Sequence, residues 1–217
     1  MSGPARSQSI HAYDPVKRIV DVSVAAIGLL VTAPLQLVTG ILVAVKLGRP
    51  VLFRQQRPGR DGKPFTLVKF RTMNEPDRNA GMVTDAERMT KFGRRLRATS
   101  LDELPTLWNV LRGDMSLVGP RPLLMQYLDR YSPAQARRHE VRPGITGLAQ
   151  VSGRNELSWE VKLAADVAYV DRRSAILDGR ILLRTAVLVL RRDGISAAGH
   201  VTIPEFLGTS APGGEPS

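Results

Sequence analysis

Two carboxylates stand side by side at Asp102 and Glu103, within the stretch Ser100 to Leu111, S-L-D-E-L-P-T-L-W-N-V-L. The apolar residues after them, Leu104, Leu107, Trp108 and Leu111, fall at i, i+3, i+4 and i+7. That spacing lines one face of a helix, so the acids are predicted in its first turn. There the backbone N–H groups are unpaired and the helix dipole favours negative charge. Pro105 agrees, since proline is tolerated in a first turn and not deeper. Two caps compete: Ser100 with Glu103 spells a capping box, whereas Asp102 as the cap places Pro105 better. Taken alone, an Asp-Glu pair at a helix start is ordinary capping chemistry. Its surroundings point further, because Arg94, Arg95 and Arg97 precede it and Gly119-Pro120-Arg121-Pro122 follows. Carboxylates crowded by arginines at a helix start are suited to a metal ion and phosphates. Pro120 and Pro122 fix the backbone on both sides of Arg121, which makes it either a fixed contact for phosphate or base, or a rigid turn with a solvated arginine.

The elements that position these groups follow from patterning. Asp14-Pro15 looks like a helix start. Ile19 to Val45 then runs 27 residues with one charge, Asp21. As a helix this reaches roughly 40 Å, more than the ~30 Å hydrocarbon core of a bilayer. It is too long for a signal peptide, and it is read as a membrane segment. Pro34 near its middle breaks or kinks a helix, and Thr32, Gln36 and Thr39 are at hand to bond freed carbonyls. Both flanks are basic, with Lys17 and Arg18 before and Lys46, Arg49, Arg54 and Arg57 after. The positive-inside rule then puts both ends in the cytoplasm. A helix-break-helix that enters and leaves on one face satisfies the proline and the charges together; a kinked span satisfies only the first. Asp21 can pair with Lys17 or Arg18 one turn back.

Downstream, Val51 to Arg71 reads as a β-hairpin around Asp61-Gly62. It carries Arg54, Arg57, Lys69 and Arg71, either as a solvated basic face or as a phosphate-facing edge. Asp85 to Arg97 reads as a basic helix, and Arg112-Gly113-Asp114 stops the Asp-Glu helix. Leu123 to Tyr131 and Pro133 to His139 look like short helices, Val141 to Asn155 a functional loop, and Leu157 to Ser174 a helix. Ile181 to Leu190, bracketed by Arg180, Arg191 and Arg192, is too short to span, so it is core by default or an interfacial helix. The expected domains are a disordered N-terminus (1–14), a re-entrant membrane helix (15–48), a cytosolic domain (49–207) and a flexible tail (208–217). The fold class is mostly α with a small β-hairpin, an α+β arrangement with interfacial helices.

Composition narrows the partners. The 217 residues hold 31 Lys and Arg against 20 Asp and Glu, a net charge of +11 that calls for an anionic partner. Only 5% of residues are aromatic, which argues against single-strand nucleic-acid binding by stacking. With no cysteine there is no disulfide and no thiolate zinc site, and the three histidines lack metal-ligand spacing.

These motifs together resemble the monotopic phosphoglycosyl transferases, bacterial sugar transferases that load a sugar phosphate onto a polyprenyl phosphate. The resemblance covers nearly all of Pro15 to Leu207. It rests on Lys17-Arg18 with Asp21, the mid-segment proline, F-R-Q-Q-R-P-G at Phe53 to Gly59 and K-F-R-T-M at Lys69 to Met73. It rests also on S-L-D-E-L-P, on G-D-M-S-L-V-G-P-R-P-L, on R-P-G-I-T-G-L-A-Q-V-S-G-R-N, and on the C-terminal G-I-S-x-x-G. The short chain, without extra N-terminal spans, looks most like the small enzymes that transfer phospho-diacetylbacillosamine. One departure is Ala33-Pro34, where the family usually has Ser-Pro. The resemblance implies transfer of a sugar 1-phosphate from a UDP-sugar to undecaprenyl phosphate with release of UMP, at the cytoplasmic face of the bacterial inner membrane, in glycoconjugate or exopolysaccharide assembly. Asp102 would be the nucleophile and Glu103 its partner, both near Mg²⁺; the helix start, the arginines and the metal would keep Asp102 ionised. Arg97, Arg121 with Pro120 and Pro122, Lys69, Arg71 and Arg154 would bind the substrate. Partners would be the UDP-sugar, undecaprenyl phosphate and membrane lipid, with no nucleic acid. UDP-galactose, UDP-glucose and UDP-N-acetylglucosamine are alternative donors. A rival of another class, a membrane-attached protein that binds anionic lipid or nucleic acid, accounts for the charge but leaves Asp102 and Glu103 without a role.

Overall fold

The apolar N-terminal segment folds as one helix of 35 residues, α1 (Tyr13–Leu47), with Pro34 inside it. The structure is a computed structural model and describes residues 12–77, 83–153, 157–191 and 205–208. The expected disordered N-terminus and tail, the C-terminal G-I-S-x-x-G motif and Arg154 lie wholly or almost wholly outside the described residues. Helical structure continues through Ala33-Pro34 rather than dividing into two helices. Proline removes one backbone donor, at a cost of about 3 kcal/mol. The local side chains add bonds of their own: the Thr32 hydroxyl donates to the Gly28 carbonyl at 2.6 Å and Gln36 Nε2 to Thr32 Oγ1 at 2.9 Å.

Packing explains why the helix holds together. Asp21, Ala25, Thr39 and Val43 are its buried residues, and Gly28, Thr32 and Gln36, half-buried, complete a stripe at helical spacing between them. The other sides are apolar and bare, with Leu30 78%, Val31 71% and Leu37 66% exposed. Both ends return to the same domain. At the N-terminal end, Lys17 pairs with Asp178 at 2.5 Å, Asp14 with Arg173 at 2.8 Å, and Asp21 accepts the Leu117 N–H at 3.0 Å. At the C-terminal end, the Arg71 guanidinium donates to the carbonyls of Leu47, Gly48 and Arg49. It closes a helix end that Gly48 turns with φ +73.

The expected hairpin is present as β1 (Leu52–Pro58) and β2 (Pro64–Phe70), antiparallel with Phe53 opposite Lys69 and Arg57 opposite Phe65. Asp61 and Gly62, both at positive φ, make its turn. The basic helix of 85–97 is instead two, α2 (Asp85–Arg88) and α3 (Lys91–Ala98). Thr90 starts the second by accepting the Gly93 N–H, while Met89 extends to bridge Met73. A second, parallel pair joins β3 (Ser116–Val118) to β4 (Gly144–Thr146), so the stretch read as a loop contains a strand and then α6 (Leu148–Ser152). A Cβ on Gly119 would lie 2.5 Å from the Arg142 carbonyl oxygen, and one on Gly144 2.1 Å from the Gly119 nitrogen. Backbone meets backbone there, which only glycine permits. The main core gathers Ala25 of α1, Phe65 of β2, Met115, Leu117 and Val118 around β3, and Tyr169 and Ile181.

Tyr169 belongs to α7 (Trp159–Arg172) and Ile181 to α8 (Ala175–Arg191). The core expectation for α8 is corrected. Only Asp178 and Ile181 are buried on it, while Ile176, Leu183 and Leu190 are 70%, 68% and 82% exposed. That is the pattern of an interfacial helix, one polar-anchored edge inside and apolar side chains outside.

His139 follows α5 (Pro133–Ala136) and is buried beside Tyr131. Burial, then the neighbouring Arg138 charge, push its imidazole down to about 4, against a hydrogen bond to Gly59 that acts the other way. The folded protein therefore keeps it neutral while the unfolded chain takes up a proton near pH 6.5. Its contribution to stability is complete above that value and is lost as pH falls toward 4, by up to about 1.4 kcal/mol per pH unit. Melting temperatures measured from pH 7 down to pH 4 should fall, and His139→Gln should flatten the fall. A variant that tracks the wild-type curve would remove His139 as its source.

Candidate active site

The dyad is held against the edge of β2. Ser100 adopts a left-handed conformation, φ 55, rare for a residue with a side chain, and turns the chain out of α3. A 3₁₀ turn follows at Leu101–Thr106 and leads into α4 (Leu107–Arg112). Neither expected cap forms. Ser100 makes no side-chain capping bond, and Asp102 lies inside the 3₁₀ turn. The tighter turn also shifts the buried face: Thr106, Asn109 and Val110 are buried and Trp108 is half exposed. Thr106 Oγ1 donates to the Val68 carbonyl at 2.9 Å. Asn109 accepts the Val68 N–H at 3.0 Å and donates to the Thr66 carbonyl at 2.7 Å. This polar lacing ties the segment that follows the dyad to Val68, the strand residue next to Lys69. Gly113, φ 97, stops α4 as expected.

Four of the predicted side chains meet around Asp102, which is 4% exposed. Arg97, in the last turn of α3, donates through Nε to Thr72 Oγ1 at 3.0 Å. Arg121 Nη2 lies 3.6 Å from Glu103 Oε1. Lys69 sits over the Phe53 ring at 5.4 Å. The charges felt by Asp102 are those of Glu103, Lys69, Arg97 and Arg121. Burial first, and Glu103 second, raise its carboxyl to about 6 against the pull of the three cations. Desolvation outweighs the arginines, yet the group is ionised at neutral pH, as expected. Burial lowers Lys69 and Arg97 in turn, with Asp102 opposing.

The Pro-Arg-Pro loop is fixed from behind. Pro120 and Pro122 are buried and Arg121 projects between them. The Pro120 carbonyl accepts the Gly144 N–H at 2.9 Å. Arg138 Nη2 donates to the Arg121 carbonyl at 2.6 Å while pairing with buried Asp166 at 2.7 Å. Arg71 does not join the site, because its guanidinium is committed to the end of α1 and to Glu75. Arg57, read only as part of the hairpin's basic face or phosphate-facing edge, lies next to Arg121, with Nη1 toward the Pro122 carbonyl at 3.5 Å. Strand alternation was the available signal, since Phe53, Gln55 and Arg57 share a face with Lys69.

A buried acid ringed by cations, beside a second acid, can hold phosphate and a divalent cation and can act as a nucleophile. Known proteins agree in kind. A Bacillus subtilis protein named as the uncharacterized sugar transferase EpsL is 53% identical over 195 residues, 89% of this chain and 96% of that one. The UDP-glucose:undecaprenyl-phosphate glucose-1-phosphate transferase of Caulobacter vibrioides is 44% identical over 194 residues, 84% of this chain and 72% of that one. The undecaprenyl-phosphate galactose phosphotransferase of Salmonella typhimurium is 40% identical over 197 residues, 82% of this chain but 41% of that longer one. The family description "Bacterial sugar transferase" matches residues 12–192, from the first turn of α1 to the end of α8. On that match, and on relatives aligned along most of its length, the chain belongs to the bacterial sugar transferase family.

Proposed function

We propose that the chain transfers a sugar 1-phosphate from a UDP-sugar to undecaprenyl phosphate, releasing UMP, in two steps through Asp102. The observation that carries this reading is the buried Asp102 carboxylate among Lys69, Arg97 and Arg121. In the first step a carboxylate oxygen attacks the sugar-bearing phosphorus. The bond from that phosphorus to the bridging oxygen breaks, and UMP leaves with the electron pair. In the second step an oxygen of undecaprenyl phosphate attacks the same phosphorus, and the Asp102–phosphorus bond breaks to restore the carboxylate. Two easier displacements replace one hard one. Lys69, Arg97 and Arg121 hold phosphate oxygens whose charge grows in each transition state. Glu103 lies within 3.6 Å of Arg121 and repels Asp102, which keeps the nucleophile less well stabilised than its three cations alone would make it.

Mg²⁺ fits this donor set. It is commonly held by one or two carboxylates completed by water and substrate phosphates. Among the described residues no group of three or more His, Cys, Asp or Glu could hold a metal ion. Asp102 and Glu103 would be its protein ligands, and when bound it would neutralise charge on the diphosphate oxygens. The donor sugar is the finer question. A bacillosamine-type sugar was expected from the chain's size, whereas the relatives that name a sugar use glucose or galactose, which favours those alternatives. The bare apolar flanks of α1 and α8 support a site lying at the membrane interface, with the catalytic domain on the cytoplasmic side.

Three outcomes are expected. Intact mass after incubation with Mg²⁺ and UDP-glucose, UDP-galactose, UDP-N-acetylglucosamine or UDP-diacetylbacillosamine, without lipid acceptor, should show one phosphosugar added at Asp102 for the true donor. Asp102→Asn should abolish both adduct and UMP release. An active enzyme with neither adduct nor acceptor-free UMP would exclude Asp102 as nucleophile. Arg121→Ala should lower kcat/KM by a factor of roughly 10 to 150, the worth of a charge-assisted contact of about 1.5–3 kcal/mol; wild-type kinetics would leave Arg121 a turn residue. Single cysteines at exposed Ala12 and Lys63, in a chain with none of its own, should both resist an impermeant external thiol reagent in intact cells. Labelling of one alone would mean that α1 spans.

A further inference from the structure

The two-step reaction gives Arg57 no task, yet its setting is unusual. It lies near the end of β1, four residues along from Phe53, which faces Lys69. That is roughly 13 Å of strand, so the two cations mark opposite ends of one hairpin face. Arg57 Nη2 donates to Gln55 Oε1 at 2.6 Å, and Nη1 reaches the Pro122 carbonyl only at 3.5 Å. Its Nε is buried without a hydrogen bond. The Arg121 charge acts on it, and among the described residues no carboxylate forms an ion pair with it. Burial, then Arg121, push it down to about 10, well below the ordinary range of a guanidinium. A half-buried cation beside a second cation, with no acid to match it, destabilises the empty protein. Arg121 is itself half exposed and only loosely held by Glu103. Arg57 reaches the carbonyl of Pro122, the residue after Arg121, so the two guanidinium groups are neighbours, and paired arginine forks are a usual means of recognising a phosphate.

We propose that Arg57 and Arg121 form a second phosphate subsite beyond the dyad, for a phosphate monoester that Lys69 and Arg97 do not hold. The assignment of ligands rests on the transferase reading above. That reaction handles two monoesters, the UMP that leaves and the polyprenyl phosphate that arrives, and both present the same dianionic group. The subsite either draws off the leaving group or seats the incoming one.

The test uses the full chain, purified, as wild type, Arg57→Met and Arg57→Lys. Thermal unfolding is followed with inorganic phosphate, with UMP, and with a short-chain polyprenyl phosphate. Without any anion, Arg57→Met should melt at or above the wild type, because an unmatched charge has gone. Wild type should be stabilised by at least one monoester. The concentration that gives half the shift should rise roughly ten- to hundredfold in Arg57→Met, and Arg57→Lys should recover part of the loss. A rise confined to UMP assigns the leaving group, and one confined to polyprenyl phosphate assigns the acceptor. A rise for both means one subsite serves the two in turn. If Arg57→Met does not fold, Arg57→Gln takes its place with the same expected rise. No anion response in the wild type, or an unchanged dose in the folded variant, overturns the subsite. None of these readouts needs turnover. A wild type that binds monoesters through Arg57 yet releases no UMP from any UDP-sugar would therefore sink the reaction and leave the subsite standing.

Discussion

One turn of α1 holds the two halves of the site together. Arg18 donates to the carbonyls of Val110 and Leu111 at 2.7 and 3.0 Å, closing α4, the helix that follows the dyad's 3₁₀ turn. Asp21, one turn on, accepts the N–H of Leu117, in the strand that ends at Gly119-Pro120-Arg121-Pro122. Between those anchors lies only the tight turn at Gly113. The distance from Asp102 to Arg121 is therefore set by a helix whose outer sides are apolar. Such charges are tolerable beside a membrane because each is matched: Asp21 by a backbone donor and Lys17, Lys17 by Asp178, and Asp178 also by the hydroxyls of Tyr13 and Tyr169. The helix with the bare apolar sides is thus also the one that ties the two halves of the candidate site together.

Basic charge proves a blunt guide to where anions bind. Arg18, Arg71, Arg138 and Arg173 sit inside the structure as donors to carbonyls and carboxylates. Their forks replace the hydrogen bonds that helix ends and irregular loops leave open. Much of the +11 is in this sense architectural. The cations left to a ligand are those for which the fold supplies no firm partner, and they gather on one hairpin face and one proline-framed loop.

How far the sequence could be read follows the same division. Two strand-like stretches around Asp61-Gly62 located the hairpin, and helical spacing with turn residues located α4 and α7. The motifs around Asp102, Glu103, Arg97, Lys69 and Arg121 identified groups that the fold does bring together. The single helix through Pro34 was harder. Its small and polar residues, Asp21, Ala25, Gly28, Thr32, Gln36 and Thr39, recur at helical spacing, but the surrounding leucines and valines hide the stripe. The dyad's 3₁₀ geometry was not legible, because hydrogen bonds from Thr106 and Asn109 to a distant strand select it over an ordinary first turn. Arg71 and Arg57 exchanged roles for a similar reason, since only the tertiary partner separates a helix-end donor from a site residue.

The contact between Gly119 and Gly144 bears on how mutational maps of this chain are to be read. A methyl group at either position would overlap a backbone atom of the other segment, so both positions are closed to every other amino acid whatever the substrate. Intolerance would therefore peak beside Arg121 even for a variant tested only for expression. A saturation scan scored by activity alone would draw the binding surface too large here, extending it into a seam where two backbone segments touch.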